Sequence, residues 1–309
     1  MSKIVIVDDE PQVISYESAL FEDLKEVSIY KSRPKDTKDI IARLYKTHTV
    51  VITKATTIIN NNIIENLPEL RHIAVFGTAL DHIDLDAAKR NNIIVTSIPN
   101  ILTNAVAEHA ISLMMSLNKK IPELDRRIRS NEWPSIETEL LEGKTLGVIG
   151  SGVIGEKVAR IGFNLGMKII INPVMRLDKI RAISFEEFAK VSELEYLLEH
   201  SDVVTIHTRV TDNNKYLLDK SEISLMKNNA LLINTARGKL VNENVLYNAI
   251  VSGKIGGAAL DVFETEPIPE ENKLRELHNV ILTSHNAANA TGIVQESIKK
   301  LIENIKNNL

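Results

Sequence analysis

Gly150-Ser151-Gly152-Val153-Ile154-Gly155 is the segment whose residue types and spacing most directly imply chemistry. Strand-like Leu146–Ile149 leads into it, and Glu156–Leu165 follows with helical period. In such a strand–turn–helix unit Gly150 permits the tight turn, Gly152 lets backbone approach a pyrophosphate, and Gly155 lets the helix pack on the strand. The free N–H groups at the helix start then face the phosphates. The expected ligand is a dinucleotide, although the same glycines also suit a ligand-free β–α turn. An acidic residue about 20 positions on commonly holds the adenosine ribose; here Ile171-Asn172-Pro173 stands in that place. Asn172 can hydrogen-bond a ribose without the charge that repels a 2′-phosphate, and Arg176 is close enough in sequence to pair with one. NAD and NADP are therefore both candidates.

The elements that must position this turn alternate along the chain. Short Val- and Ile-rich runs at 4–7, 49–52, 73–76 and 93–95 are separated by helical patterns at 11–24, 36–45 and 84–90, the last with Asp84 as N-cap. A longer helical stretch, 104–118, repeats Val106, Ala110, Leu113, Met114 and Leu117 at three- and four-residue spacing. Beyond it, strands are expected at 145–149, 168–171, 203–207, 230–234, 256–260 and 280–283, and a helix over 291–308. This alternation predicts parallel sheets with crossover helices.

The 309 residues, 44% of them hydrophobic, suffice for two domains. Basic residues number 37 and acidic residues 41, mixed along the chain, so no phosphate-backbone grip is expected and no nucleic-acid partner. Cysteine is absent, which excludes disulfides, thiolate metal sites and a cysteine nucleophile; no metal site is expected. Apolar runs fall far below the roughly 20 residues that cross a bilayer, so no membrane partner is expected. The N-terminus enters a strand-like run with no small-residue cleavage site, and the chain reads as cytoplasmic.

Further blocks appear in a fixed order: Phe76-Gly77-Thr78-Ala79-Leu80-Asp81-His82-Ile83-Asp84, Ala105-Val106-Ala107-Glu108, Leu141-Glu142-Gly143-Lys144-Thr145-Leu146-Gly147, the glycine turn, Leu225-Met226-Lys227, Leu232-Ile233-Asn234-Thr235-Ala236-Arg237-Gly238, Ala259-Leu260-Asp261-Val262-Phe263-Glu264-Thr265-Glu266-Pro267 and Leu282-Thr283-Ser284-His285. In these blocks, from about 67 to 287, the chain resembles the D-2-hydroxyacid dehydrogenase family, which includes glycerate, phosphoglycerate and hydroxyisocaproate dehydrogenases. The resemblance implies an α/β fold of two doubly wound parallel-sheet domains, a Rossmann cofactor domain (103–285) inserted into a flavodoxin-like substrate domain (1–102 with 286–309). It also implies an active site in the interdomain cleft and a homodimer. The apolar stripe of 104–118 suits a dimer contact and equally an intrachain core.

By the same resemblance the chain moves a hydride between NAD(P)H and a small 2-oxo acid or D-2-hydroxy acid. Arg237, His285 and Glu266 match the family's catalytic residues. Arg237 would grip the substrate carboxylate with two parallel N–H bonds and polarise the neighbouring carbonyl. His285 would exchange a proton with the reacting oxygen, and a carboxylate beside it, Glu266, favours imidazolium. Glu264 is a rival for that carboxylate. Val153 and Ile154 are expected on the pyrophosphate, Thr235 and Ala236 near the nicotinamide ribose, and Asp261 on the nicotinamide amide. Backbone N–H groups of Thr78 and Ala79, with Lys54, are expected to hold substrate; Lys54 leans the reading toward hydroxypyruvate, glyoxylate or glycerate.

Three positions depart from the family pattern. Ala79 replaces a glycine, Ser284 stands where a proline precedes the histidine, and Arg209 replaces a proline of the adenine pocket. Two other functions compete with this reading. The start Asp8-Asp9-Glu10-Pro11 resembles a receiver domain, but Thr53-Lys54 follows the strand where a phosphate-accepting Asp belongs. A catalytically silent dinucleotide-binding sensor or corepressor is expected to lack part of the trio, and here all of it is present.

Overall fold

Strands covered on both faces read as unbroken apolar runs, and two such parallel sheets form here. The structure is a computed structural model that describes residues 3–10, 14–15, 19, 21–22, 24, 26–54, 56–174, 187–211 and 213–308. The chain gathers into two units, Met1–Leu102 with Asn289–Leu309, and Thr103–Ala288.

The first unit contains β1 (Ile4–Ile6), β2 (Val27–Ile29), α1 (Thr37–Arg43), β3 (Thr49–Ile52), α2 (Asn61–Glu65), β4 (His72–Val75), α3 (Leu85–Arg90) and β5 (Ile94–Thr96). Its sheet runs β2-β1-β3-β4-β5, the flavodoxin-type order. Neighbouring residues of one strand serve opposite faces. Val5, Val50, Ile52 and Ile73 pack with Ile40, Leu44, Ile63 and Ala87 of the first three helices, while Ile4, Ile6, Val51 and Ala74 pack with Ile298, Leu301, Ile302 and Ile305 of the last helix, Ile293–Lys306. Side-chain caps start the short helices: Asp36, Asn60 and Asp84 each accept from a first-turn N–H, worth about 1 kcal/mol apiece. The helix expected over 11–24 falls largely outside the described residues, although Ile14, Phe21 and Leu24 are buried in the core.

The second unit contains α4 (Thr103–Asn118), α5 (Ile121–Arg129), β6 (Thr145–Ile149), α6 (Val153–Asn164), β7 (Lys168–Asn172), β8 (Ala189–Val191), α7 (Leu194–His200), β9 (Val203–Ile206), α8 (Lys220–Leu225), β10 (Ala230–Asn234), α9 (Glu243–Val251), β11 (Ile255–Leu260) and β12 (Val280–Leu282); the last helix of the chain is α10. Its seven strands run β12-β11-β10-β9-β6-β7-β8, all parallel, so the order reverses beside β6, the strand that feeds the glycine turn. Leu197, Ile223, Leu246 and Ile250 cover one face through α7, α8 and α9. The other is covered by α4 and α6, where Ala110, Leu113, Met114 and Leu117 meet Val148, Ile233 and Ala259. The apolar stripe of 104–118 is thus intrachain core. Among the described residues no helix is long and apolar enough to cross a membrane.

Candidate active site

Three adjacent strands deliver the expected trio. Arg237 follows β10, Glu266 follows β11 and His285 follows β12, all beyond the carboxyl ends, where open α/β sheets bind ligands.

The turn carrying Arg237 is built by its neighbours. Asn234, 1% exposed at the end of β10, donates through Nδ2 to the Arg237 carbonyl (2.9 Å) and accepts at Oδ1 from Ala236 N–H (3.0 Å). The guanidinium Nη1 donates to the Ala236 carbonyl at 2.7 Å. A Cβ at Gly238 would lie 1.9 Å from the Phe263 carbonyl carbon, so glycine alone lets the Arg237 turn lie against the segment that leads to Glu266.

His285 Nδ1 donates to Glu266 Oε2 at 2.7 Å, and Phe263 N–H donates to Oε1 at 3.1 Å. Burial pushes the Glu266 carboxyl upward. The hydrogen bond and charge of His285, the Phe263 N–H and the Arg237 charge outweigh it and hold Glu266 below the ordinary carboxylate range. Arg237 and His285 therefore both act on one carboxylate. The His285 side chain is 39% exposed against 18% for Glu266; with Nδ1 committed, Nε2 is left for a ligand. Glu264, the rival, is engaged elsewhere: its oxygens accept from Glu243 N–H at 2.9 Å and Tyr216 Oη–H at 2.7 Å.

His285 adopts φ +53°, the left-handed region that side chains disfavour. Asp261, wholly buried, braces it: its carbonyl accepts from His285 N–H (2.8 Å), Oδ1 from Asn286 N–H (2.8 Å) and Thr283 Oγ1–H (2.6 Å), and Oδ2 from Ala287 N–H (2.9 Å). Asp261 is expected from its motif on the nicotinamide amide; in the structure its carboxylate is engaged in folding the His285 loop.

At the glycine turn, Gly150 has φ +113° and its Cβ position lies 2.3 Å from the His207 carbonyl oxygen. A Cβ at Gly155 would come within 2.0 Å of the Gly150 carbonyl oxygen. Among the described residues nothing lies within 4 Å of a Cβ placed at Gly152, and α6 starts there with no side-chain cap. Val153 is exposed beside it, with Ile154 half-buried. Burial lowers His207 to about 3, so a neutral ring adjoins this turn. Thr235 Oγ1 is buried with no hydrogen-bond partner among the described residues, and Ala236 is half-buried next to it. An open turn, uncapped helix N–H groups and an orphaned hydroxyl fit a dinucleotide.

Asn172 does not present a free amide to a ribose. It is buried, donates to the Ser192 carbonyl (2.9 Å) and accepts from Val174 N–H (3.0 Å), because the end of β7 needs those backbone groups satisfied. Arg176 lies outside the described residues.

In the first unit, Lys54 follows β3, and Thr78 and Ala79 follow β4. Asp8, buried, accepts from Thr53 N–H (2.7 Å) and Lys54 N–H (3.1 Å) and so shapes this turn. Burial lowers the Lys54 pKa, with the Arg33 charge adding, against the opposing pull of Asp8, Asp9 and Glu10. Thr78 is exposed and Ala79 half-buried. A cavity of about 670 Å³ in the second unit lies at the amino ends of its strands, lined by Leu117, Leu141, Lys227 and Gly256, away from the trio.

Residues 111–287 match the family described as D-isomer specific 2-hydroxyacid dehydrogenase, NAD binding domain. Glyoxylate reductase of Korarchaeum cryptofilum (strain OPF8) is 34% identical over 292 residues, 92% of this chain and 85% of that protein. D-lactate dehydrogenase from Aquifex aeolicus, solved with NAD and lactic acid, superposes with TM-score 0.85 at 28% identity over 99% of this chain and 96% of that one. An acyclic imino acid reductase (Bsp5) in complex with NADPH and D-Arg gives 0.85 at 29% identity, covering 98% and 96%. With sequence and fold in agreement over nearly its whole length, this chain belongs to the D-isomer specific 2-hydroxyacid dehydrogenase family, oxidoreductases that transfer a hydride between NAD or NADP and a small 2-oxo or D-2-hydroxy acid.

Proposed function

We propose that the chain reduces a small unsubstituted or hydroxymethyl 2-oxo acid, glyoxylate or hydroxypyruvate, with Arg237, Glu266 and His285 as its catalytic residues. The observation that carries this is the 2.7 Å His285–Glu266 contact, made to a carboxylate that also feels the Arg237 charge. Arg237 holds the substrate carboxylate and draws electron density from the adjacent carbonyl. His285 gives the proton on Nε2 to the carbonyl oxygen, and Glu266 stabilises the imidazolium before transfer. A reduced nicotinamide held by the glycine turn and by Thr235 and Ala236 would supply the hydride that C2 requires. In the oxidative direction His285 takes the hydroxyl proton.

Gly150, Gly152, Val153, Ile154 and Gly155 would hold the pyrophosphate, and Thr235 and Ala236 the nicotinamide ribose. Lys54 and the backbone of Thr78 and Ala79 are assigned to substrate. The half-buried Lys54, together with the glyoxylate reductase relative, supports the substrate lean. The expected setting is the cytoplasm. The test is oxidation of NADH and of NADPH with glyoxylate, hydroxypyruvate and pyruvate, where one of the first two should give the highest kcat/KM. Tight dinucleotide binding without turnover on any of them would leave the sensor reading instead.

Glu266 supplies a pH prediction. Its carboxyl is held low, so the pairing is complete at neutral pH, and the stability it contributes disappears only as pH falls through that lowered value. In Glu266→Gln this acid-side loss should vanish from the pH dependence of the melting temperature; a pH–stability profile identical to the wild type contradicts the pairing's role.

The homodimer contact is assigned to the stretch 121–140. There Ile121, Ile128, Leu140 and Trp133, the last 92% exposed, present apolar surface outside the core. Sedimentation should give a dimer for the wild type and a monomer for Trp133→Glu/Leu140→Glu; a monomeric wild type overturns the assignment.

A further inference from the structure

We infer that His109 is a positioning residue for His285, acting through Thr283 and Asp261; the inference rests on the reading of His285 as the proton donor. His109 stands on α4, four residues after Ala105 and four before Leu113, both buried. Its Nε2 lies 3.2 Å from Thr283 Oγ1 and 3.4 Å from Asp261 Oδ1. Thr283 in turn donates to that same Oδ1 at 2.6 Å. One carboxylate oxygen thus accepts from a strand-end hydroxyl and the Asn286 N–H, and that hydroxyl in turn accepts from the helix-borne imidazole, which lies alongside.

A wholly buried carboxylate is costly unless donors surround it. The donors here come from two sources of different stiffness. Asn286 and Ala287 belong to the loop being shaped, whereas His109 belongs to a helix fixed on the sheet through Ala110, Leu113 and Leu117. His109 and Thr283 consequently set where the Asp261 oxygens lie, and those oxygens set where Asn286 and Ala287 place the loop. The Asp261 carbonyl fixes His285, which immediately precedes them, at its left-handed φ of +53°. Without that bracket the loop relaxes toward commoner backbone angles, and the ring of His285 leaves the line between Glu266 and the substrate oxygen. Misplacement by about 1 Å at a reacting group costs on the order of 10²-fold.

The variants are His109→Ala, Thr283→Val, both together, and His109→Gln, whose amide can still donate to Thr283. The readouts are kcat and KM for glyoxylate, the NADH dissociation constant by fluorescence, and hydrogen exchange of the amides of 284–288. His109→Ala should lower kcat by roughly 10- to 100-fold, leave NADH affinity nearly constant, and speed exchange at Asn286 and Ala287. Thr283→Val should behave alike, and the double variant should be no worse than the weaker single, because the two act in one chain of contacts. His109→Gln should recover most of the lost turnover. Unchanged kcat and exchange in His109→Ala, or losses that add in the double variant, overturn the inference. A wild type inactive on every 2-oxo acid sinks the catalytic reading, while the exchange of 284–288 still decides whether His109 braces the loop.

Discussion

Replacing His285 by alanine is expected to slow the turnover of glyoxylate or hydroxypyruvate by roughly 10²–10⁴-fold and to leave dinucleotide affinity nearly unchanged. The separation follows from where the parts sit. The glycine turn follows β6, whereas His285 follows β12 at the far edge of the same sheet, so the substitution leaves the phosphate cradle intact. The fold should also tolerate it, because the side chain is 39% exposed and its backbone N–H, which anchors the loop to Asp261, survives in alanine. Steady-state kinetics beside a fluorescence titration with NADH measures both quantities. Retained turnover removes His285 from the mechanism; lost cofactor binding shows a structural collapse instead.

Arg237→Lys is expected to cost about 10- to 150-fold in kcat/KM for the oxo acid, the equivalent of ~1.5–3 kcal/mol for a hydrogen bond to a charged group. A lysine keeps the positive charge, and with it part of the pull that holds Glu266 low, but lacks the planar fork that meets a carboxylate with two parallel bonds. The turn itself should survive, since Asn234 builds it from the backbone of Ala236 and Arg237 and Gly238 provides the close approach to Phe263. The loss therefore isolates fork geometry from charge. Unchanged kcat and KM in Arg237→Lys contradict the bidentate grip.

The strands flanking the site are legible in the sequence because both faces of each are covered, which makes 145–149 and 230–234 continuous apolar runs. The elements that escape such reading lack that signature. β2 is Val27-Ser28-Ile29, an edge strand too short for a pattern, and β8 is a three-residue edge as well. α5 carries Ile121, Leu124 and Ile128 at helical spacing but buries none of its residues among the described ones, so no packing on this core marks it. At the site, the resemblance of the motifs points to the proposed trio, whereas duties set by tertiary contact stay hidden. Asn172 and Asp261 are recognisable as polar residues at strand ends, but nothing in the sequence tells that their side chains are engaged by Ser192 and Val174 or by Asn286 and Ala287. Asn234 and His109 go unmarked for the same reason. The one signal for His109 is a histidine on the buried side of an apolar helix.

Ile298, Leu301, Ile302 and Ile305 of the final helix close one face of the first sheet, against Ile4, Ile6, Val51 and Ala74. The two partners in that contact are separated in the chain by the whole second unit. An emerging polypeptide must carry the oily underside of its opening strands uncovered while the whole inserted unit, contiguous from Thr103 to Ala288, is produced. Domains generally fold as units during synthesis, and only the second unit is contiguous, so its core is complete before the first sheet can be closed.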